Sequence, residues 1–517
     1  DARAPMQYID LMGGHKPHIM VSHRNNMGKT TRVDYKSSTH YYLDDKKAGT
    51  PWITKLPFPV HCISRVEVID EVTDLHFITT YSYHHGYYDH IEKEFRGFGR
   101  VDQLDTEDYQ YLKNKGASNA TDIKFHEPPV LTRTWTHTGA FVQSNKVLHQ
   151  FEKEYWYNNH AFTASITEHS LNDAELPAGL TMPEKIEAYR ACKGMILRSE
   201  TFALDGSVKE KIPYSVVTHN CIIRMLQARG SNQHAIFLVH ESESITFSYE
   251  RKISDPRIAH SLNLEIDQYG NVLKSVSVVY GRKADEADRA INDLEIIKRF
   301  TNTVQKQDHV NFLKRAQTQR HVIYTETKVT TDQEEIIDGK KLKYYRLPQP
   351  WSVRSFEVSN ISTLNPYLGL SDFAPILSAN VAIKSYHETF DQQSTQIQLR
   401  LIEHMQTLLL GSDLESPLPA GRHGAMGMTY ESYQLAFTPA LIDLLFNIQQ
   451  QGSFVNPKRV TDSELELAKY CHIDHDHNDL NWWIRSGTTK YFDRTKNETR
   501  VSSANRYYVP IMYTDPF

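Results

Sequence analysis

The sequence predicts a mainly β protein: a large, open or hollow sheet carrying a few short helices. Strand-like stretches recur along most of its 517 residues, whereas helical periodicity is confined to short windows. Aromatic residues reach 11%, with 29 Tyr, while apolar residues amount to only 39%. Exchanging Tyr for Gly to match the usual definition leaves roughly 38%, below the roughly 45–50% of compact soluble domains. Many aromatics with few aliphatics suit sheets wetted on both faces, not a thick core.

A chain of this length exceeds one ordinary domain, and two to four folding units are expected. Residues 1–25 begin with the strand-like Tyr8–Gly14. In residues 26–180, Thr31–Tyr35 and Arg65–Ile69 read as strands, and Pro51, Pro57 and Pro59 bracket Trp52 and Phe58 in an extended connector. Tyr81 and Tyr83 then alternate as a strand, Gly86 reads as a turn, and Phe95 and Phe98 form a return strand. Gly97 and Gly99 there indicate close backbone approach. The polar and aromatic residues of this hairpin, Tyr83, His84, His85, Tyr88 and Asp89, are expected to stack and hydrogen-bond across strands. Glu92, Glu94 and Arg96 are expected to form cross-strand ion pairs. Residues 108–180 look irregular apart from a strand-like His137–Gln150.

In residues 181–330 the spacing predicts a helix over Pro183–Cys192, with Pro near its first turn and acids early. The strand Met195–Phe202 and the turn Asp205-Gly206 follow, then strands Ala235–Val239, Ser244–Tyr249 and Ser261–Ile266. Tyr269, Gly270 and Asn271 make a tight turn before a returning strand from Val272 to Val278. Residues 285–320 are helix-compatible, with Ile291, Leu294, Ile297 and Phe300 about a turn apart. In residues 331–517 the clearest helix lies near 439–451. Thr438 is its N-cap, Pro439 its first residue, Leu441, Ile442, Leu444, Leu445 and Ile448 its apolar face, and Gly452 its stop. The tail returns to strands. Three or four helices pinned to sheet edges are expected in all.

The net charge of −5 is interspersed along the chain, which argues against nucleic-acid binding through phosphate neutralisation. No apolar run approaches the roughly 20 residues that span a bilayer, and no signal-peptide pattern opens the sequence. Membrane insertion by this chain is therefore not expected. The four cysteines, without any CxxC, fit reduced structural thiols.

Few residues suggest chemistry. Cys471–His477 contains three His and two Asp, which makes His472, Asp474, His475 and His477 candidate metal ligands; an exposed loop is the competing reading. His84, His85 and His90 with Asp89 could ligate a metal or act as a base, against the reading that they hydrogen-bond across the hairpin. Asn26–Thr30 lacks the first glycine of a phosphate loop, since His23 stands there. Glu464-Leu-Glu466 resembles the paired glutamates of ADP-ribosyltransferases, but it lies on a short helix over Asp462–Tyr470 without the accompanying Ser-Thr-Ser strand. No HExxH, GxSxG or paired CxxC occurs. No catalytic residue and no cofactor is expected.

The stretch Tyr81–Glu107 resembles the signature of the B component of bacterial insecticidal Tc (ABC) toxin complexes. Further similar segments follow one another in order: Asp10–Pro17, Trp52–Val60, Lys193–Gly206, Asp255–Ile258, Tyr269–Val272 and Tyr430–Pro439. Asp267–Leu273 also resembles a degenerate unit of the Tyr-Asp repeat of Rhs proteins. The resemblance implies a spiral Rhs-type shell. Residues 26–180 would be its middle N-terminal region, 181–330 its middle C-terminal region, and 331–517 further shell strands. Residues 1–25 would leave a β-propeller outside this sequence. The implied role is structural: to help enclose the cytotoxic C-terminal segment of the C component until the pore opens. The implied partners are the C component through sheet continuation and the A component through the propeller. The implied route is cytoplasmic synthesis followed by release with the complex. A polar lining suits such a cage, because sticky apolar walls would retain the cargo. Two rival readings remain open. One is a carbohydrate-binding or carbohydrate-active β-protein, requiring two carboxylates about 5–10 Å apart between aromatic platforms. The other is an Rhs-like surface adhesin.

Overall fold

The computed structural model describes residues 16–73, 75–107, 128–144, 146–158, 171–292, 294–299, 303–337, 339–361, 367–378, 381–391, 393–446, 462–473 and 479–516. The chain divides into two compact units, Asp1–Arg257 and Ile258–Phe517.

The first unit is an antiparallel meander of β1 (Ser22–Arg24), β2 (Lys29–Ser37), β3 (His61–Asp70), β4 (Leu75–Asp89), β5 (Glu94–Glu107), β6 (Val130–Thr136), β7 (Ile196–Ala203), β8 (Ser215–Gln227) and β9 (Ile236–Ser248). Each strand pairs with the next in sequence. Val101 through Thr106 on β5 are all half-buried, so neither face is dry or bare. That pattern accounts for a composition rich in Tyr and Thr and poor in aliphatics. The thicker packing lies where helix α2 (Met182–Ala191) covers the sheet, with Trp135, Phe151, Tyr189, Leu197 and Ile223 in one buried cluster. α2 starts where expected. Glu184 accepts hydrogen bonds from the Thr181 amide (2.9 Å) and hydroxyl (2.7 Å), and Pro183 occupies the first turn.

Several expectations need correction. Gly86 is not a turn: β4 runs through it to Asp89, and the chain reverses at His90–Lys93. His137–Gln150 is no strand; among its described residues only Gln143 and Lys146 form a bridge, and a 3-10 helix starts at His149. Ala235–Val239 and Ser244–Tyr249 belong to one strand, β9. Helices also outnumber the three or four expected. One of them, α1 (Ser38–Lys47), follows β2 directly.

In the second unit β10 (Arg257–Ile266) pairs antiparallel with β11 (Val272–Val279), and β11 with β12 (His321–Val329). The strands Pro350–Ser359, Gln398–Leu409, Thr429–Phe437 and Trp482–Arg485 follow. Leu262, Val276, Tyr324, Phe356, Phe373 and Leu399 are in one of its buried clusters. The helix-compatible 285–320 region forms Ala284–Asn292, Glu295–Lys298 and Thr303–Thr318. Thr438 Oγ1 accepts the Leu441 amide at 3.2 Å and caps the helix Pro439–Phe446. Of the apolar face expected there, Ile442 is buried while Leu444 and Leu445 are exposed; Ile448 and Gly452 lie outside the described residues. The tail combines a short helix, Arg500–Asn505, with a hairpin of Thr488–Lys490 and Met512–Thr514.

Candidate functional site: the clasps of the long hairpin

The β4–β5 hairpin is held at two places, each by residues distant in sequence. At its tip, Asp89 is 1% exposed. Its Oδ1 accepts the amides of Ile91 (3.1 Å) and Glu92 (3.3 Å), which closes the turn. Its Oδ2 accepts Nε of Arg190 on α2 at 2.8 Å, and Arg96 approaches at 3.5 Å. Burial alone would raise the Asp89 pKa; the turn amides and Arg190 overcome it and hold the carboxyl below its ordinary value. The Glu92/Glu94/Arg96 expectation is corrected in part. Arg96 pairs with Glu94 at 3.1 Å, but Glu92 reaches Arg190 at 3.2 Å, and Glu94 also binds Lys193 at 2.5 Å. Arg96 is the extra residue of a bulge: Tyr87 faces Gly97 and Tyr88 faces Phe95. Gly97 accommodates it with φ +96°.

Midway along the hairpin, Asp45 near the end of α1 accepts Trp52 Nε1 and His84 Nδ1, both at 2.6 Å. Asp102 accepts Arg100 Nε (3.0 Å) and Arg133 Nε (3.2 Å). Glu154 receives Arg100 (2.8 Å), Trp135 Nε1 (3.1 Å) and His85 Nε2 (2.6 Å). The Ile53 amide donates to His85 Nδ1 at 3.2 Å, so the neutral ring keeps its proton on Nε2 and donates it to Glu154. Burial raises the Glu154 pKa, but the His85 hydrogen bond, the Arg100 charge and the Trp135 hydrogen bond prevail, and it falls to about 2. Burial, followed by Arg100, lowers that of His84. Both imidazoles therefore hydrogen-bond to α1, the connector and the 3-10 helix His149–Glu154, not across the hairpin. His90 is exposed and joins neither clasp.

Aromatic rings fill the space between the clasps. Phe98 meets Tyr83 at 4.9 Å and Phe95 at 5.5 Å between centroids, and Tyr88 meets Phe58 at 4.9 Å. A Cβ on Gly86 would lie 2.7 Å from the Trp52 ring, and one on Gly99 would lie 2.4 Å from Phe151. Sequence reasoning singled out the hairpin residues but missed Asp45, Glu154 and Arg190, which carry no local motif and which only the fold brings to the hairpin; Asp102, on β5 itself, was not singled out either.

The arrangement locks segments together. The His84 Nε2 atom is buried without a hydrogen bond, 3.9 Å from Asp102. Every other charged group of the two clasps faces an opposite charge or a donor. Among the described residues no three His, Cys, Asp or Glu side chains are grouped to hold a metal. His472 spends Nδ1–H on the Asn481 carbonyl (2.9 Å) and packs on Trp482; Asp474, His475 and His477 lie outside the described residues. At Tyr269-Gly270-Asn271, the Asp267 carboxylate accepts the amides of Tyr269 (2.8 Å) and Asn271 (2.9 Å), and Gly270 has φ +90°. A cavity of about 240 Å³ in the second unit includes Glu357, Asp391 and Phe390. Glu357 is ion-paired to Arg400, whose guanidinium stands 5.0 Å from the centre of the Phe390 ring. The cavity thus lacks the two free carboxylates and open ring face that the carbohydrate reading requires.

A sequential antiparallel meander clasped by buried ion pairs defines a protein of the large antiparallel β-sheet class. The model of the insecticide toxin TcdB middle/N-terminal region matches residues 7–139, and that of the TcdB middle/C-terminal region matches residues 187–335. Together they span more than half of the sequence, and the chain belongs to the insecticide toxin TcdB family through these middle regions. Among solved structures, it is similar to the TcdB2–TccC3–Cdc42 crystal structure (23% identity, TM-score 0.62, 95% of this chain and 21% of that one). It is also similar to TcdB2–TccC3 (23%, 0.61, 96% and 21%) and to a Photorhabdus luminescens Tc holotoxin pore carrying a mutant TccC3 (23%, 0.60, 91% and 20%). The chain thus spans about a fifth of the length of the solved chains it matches. No curated protein matches the sequence.

Proposed function

We propose that this chain is a structural, non-enzymatic segment of a Tc toxin B component, forming part of the cocoon that encloses the cytotoxic C-terminal segment of the C component. The observation that carries the reading is the meander β1–β9, in which each strand pairs with the next and the long β4–β5 hairpin is held by charged clasps. Such a sheet pairs most of its strand edges internally and so does not recruit an unfolded cargo by strand addition. Likeness of fold to TcdB2–TccC3 complexes over most of the chain supports the same assignment.

On this reading residues 26–180 and 181–330 are the two middle shell regions, residues 331–517 add further shell strands, and residues 1–25 lead from a propeller. The C component joins by sheet continuation, and the A component docks on the propeller. The protein is made in the bacterial cytoplasm and leaves the cell with the assembled complex. The signature residues Tyr83–Asp89 and Glu94–Gly99 act as structural latches. The test is co-expression of the B chain with a C-type Rhs partner, followed by electron microscopy of the co-purified material. A hollow particle with density inside is expected. A soluble chain that ignores the partner would overturn the assignment.

A further inference from the structure

In the second unit, β12 and the strand Pro350–Ser359 part from each other at one end. Their ladder ends at Ile323–Glu357. On its other edge β12 stays paired with β11 as far as His321, opposite Val279. Pro350–Ser359 likewise stays paired with Gln398–Leu409 as far as Ser359, opposite Gln398. Each strand is therefore held by its outer neighbour for two residues after the two have ceased to pair with each other. The cavity of about 240 Å³ opens at this parting. Arg320 and His321 come from the β12 side, Ser359 and Asn360 from the other, and Phe390 and Asp391 from the segment before Gln398.

The charges lining it are not matched to one another. Glu357 is paired with Arg400. Arg320 donates from Nη2 to the Ile361 carbonyl at 2.6 Å, and among the described residues it makes no ion pair. Asp391 is pinned by neutral groups too. Its amide donates to Gln398 Oε1, its carbonyl accepts Gln398 Nε2, and its Oδ1 accepts the Gln393 amide, each at 2.9 Å. It also makes no ion pair among the described residues. One cation and one anion thus line the same cavity, each positioned by neutral partners. The Ser359 Oγ is buried there without a hydrogen bond among the described residues. Asp391 is exposed and Arg320 half-buried, so a solute reaches both from water.

We propose that this cavity binds a small free α-amino acid, its carboxylate on Arg320 and its ammonium group on Asp391. With Nη2 turned to Ile361, the guanidinium keeps Nε and Nη1 for a carboxylate, whose planar geometry it matches. A simple anion would set its charge against Asp391, and a simple cation would set its charge against Arg320. An α-amino acid carries both charges on one carbon and satisfies both residues. The volume lies below the roughly 300–1,000 Å³ of sites for drug-sized ligands, which limits the side chain to a small one. A hydroxyl on that side chain gives the buried Ser359 Oγ the partner it lacks. The site belongs to the second unit alone and is independent of the shell assignment.

The test titrates the purified full chain with L-serine by isothermal calorimetry. L-serinamide, which lacks the carboxylate, and N-acetyl-L-serine, which lacks the ammonium group, are titrated beside it. Saturable one-to-one binding of L-serine is expected with a Kd of about 1 mM or tighter, and binding about tenfold weaker for each blocked compound. Arg320→Gln should erase the preference over L-serinamide, and Asp391→Asn should erase the preference over N-acetyl-L-serine. The comparison of the three compounds on the parent chain needs no variant, so a substitution that misfolds does not blunt it. Absence of saturation by L-serine, or equal affinity for all three compounds, would overturn the proposal. So would a preference over L-serinamide that survives in an Arg320→Gln chain of unchanged melting temperature.

Discussion

At Glu154 three donors from separate segments converge on one carboxylate, and the energetics follow from burial. Because its pKa falls from 4.5 to about 2, its contribution is complete above about pH 4.5 and is lost as pH drops towards 2. The shift corresponds to a ceiling of about 3 kcal/mol. Glu154→Gln would leave Arg100 and His85 poorly matched and should cost about 2–4 kcal/mol in urea unfolding at pH 7. The gap between variant and parent should shrink by pH 3. A constant gap would show that the carboxylate charge is not what stabilises the clasp. Gly99 tests packing in the same region. Its added Cβ would meet Phe151 at 2.4 Å, so Gly99→Ala should cost about 1–3 kcal/mol through forced rearrangement. The sequence pattern exposed this need for close approach at Gly99, whereas Gly86 was misread. Glycine signals a turn and a tight contact equally well, and only the Trp52 ring beside Gly86 separates the two.

At the scale of elements, legibility tracked how local the determinants were. α2 was readable because Pro183 and the early acids lie within a few residues of its start. The Asp267–Asn271 turn was readable because Gly270 and its polar neighbours are contiguous. α1 was not: Ser38–Lys47 has no apolar stripe, and only Ser38 and Tyr41 are buried. It forms because Ser37 Oγ caps the Thr39 amide at 3.3 Å, because Lys46 and Lys47 suit its C-terminus, and because Tyr41 packs on Tyr83. Ser37→Ala should therefore cost about 1 kcal/mol. Because α1 carries Asp45, hydrogen exchange at the amides of Trp52 and Ile53 should quicken as well. Unchanged protection there would mean that the helix is held by the sheet alone. The bulges at Arg96 and at Asn220–Cys221 were equally hidden, since a strand read by alternation gives no warning that its parity will reverse. The clasps were half legible: most of their hairpin members stood out, and their partners 31 to 101 residues away did not.

Across the whole molecule, stability should fall with acid in two stages, because two kinds of group lose their native advantage at different pH. His137, fully buried in the first unit, holds Nε2 3.0 Å from the Val147 carbonyl and accepts the Gly139 amide on Nδ1 at 2.9 Å. A second proton would displace that amide. Burial accordingly lowers its pKa from 6.5 to about 4, with the Val147 hydrogen bond only partly opposing. His404 in the second unit packs against Trp483 and lies 3.1 Å from Ser352 Oγ; burial, then Arg354, takes it to about 4 as well. A histidine whose native pKa is depressed contributes fully above the unfolded value near 6.5 and loses that contribution as pH falls towards 4. Each can account for up to about 3 kcal/mol. The depressed carboxylates, Glu154 foremost, give way only below about pH 4.5. Thermal unfolding from pH 7.5 to 3 should therefore show a shallow decline beginning near 6.5 and a steeper one below 4.5. His137→Gln with His404→Gln should lower stability at pH 7.5 and flatten the upper limb while leaving the lower one. A curve level down to pH 4.5 in the parent protein would mean that both rings gain their second proton without displacing their partners.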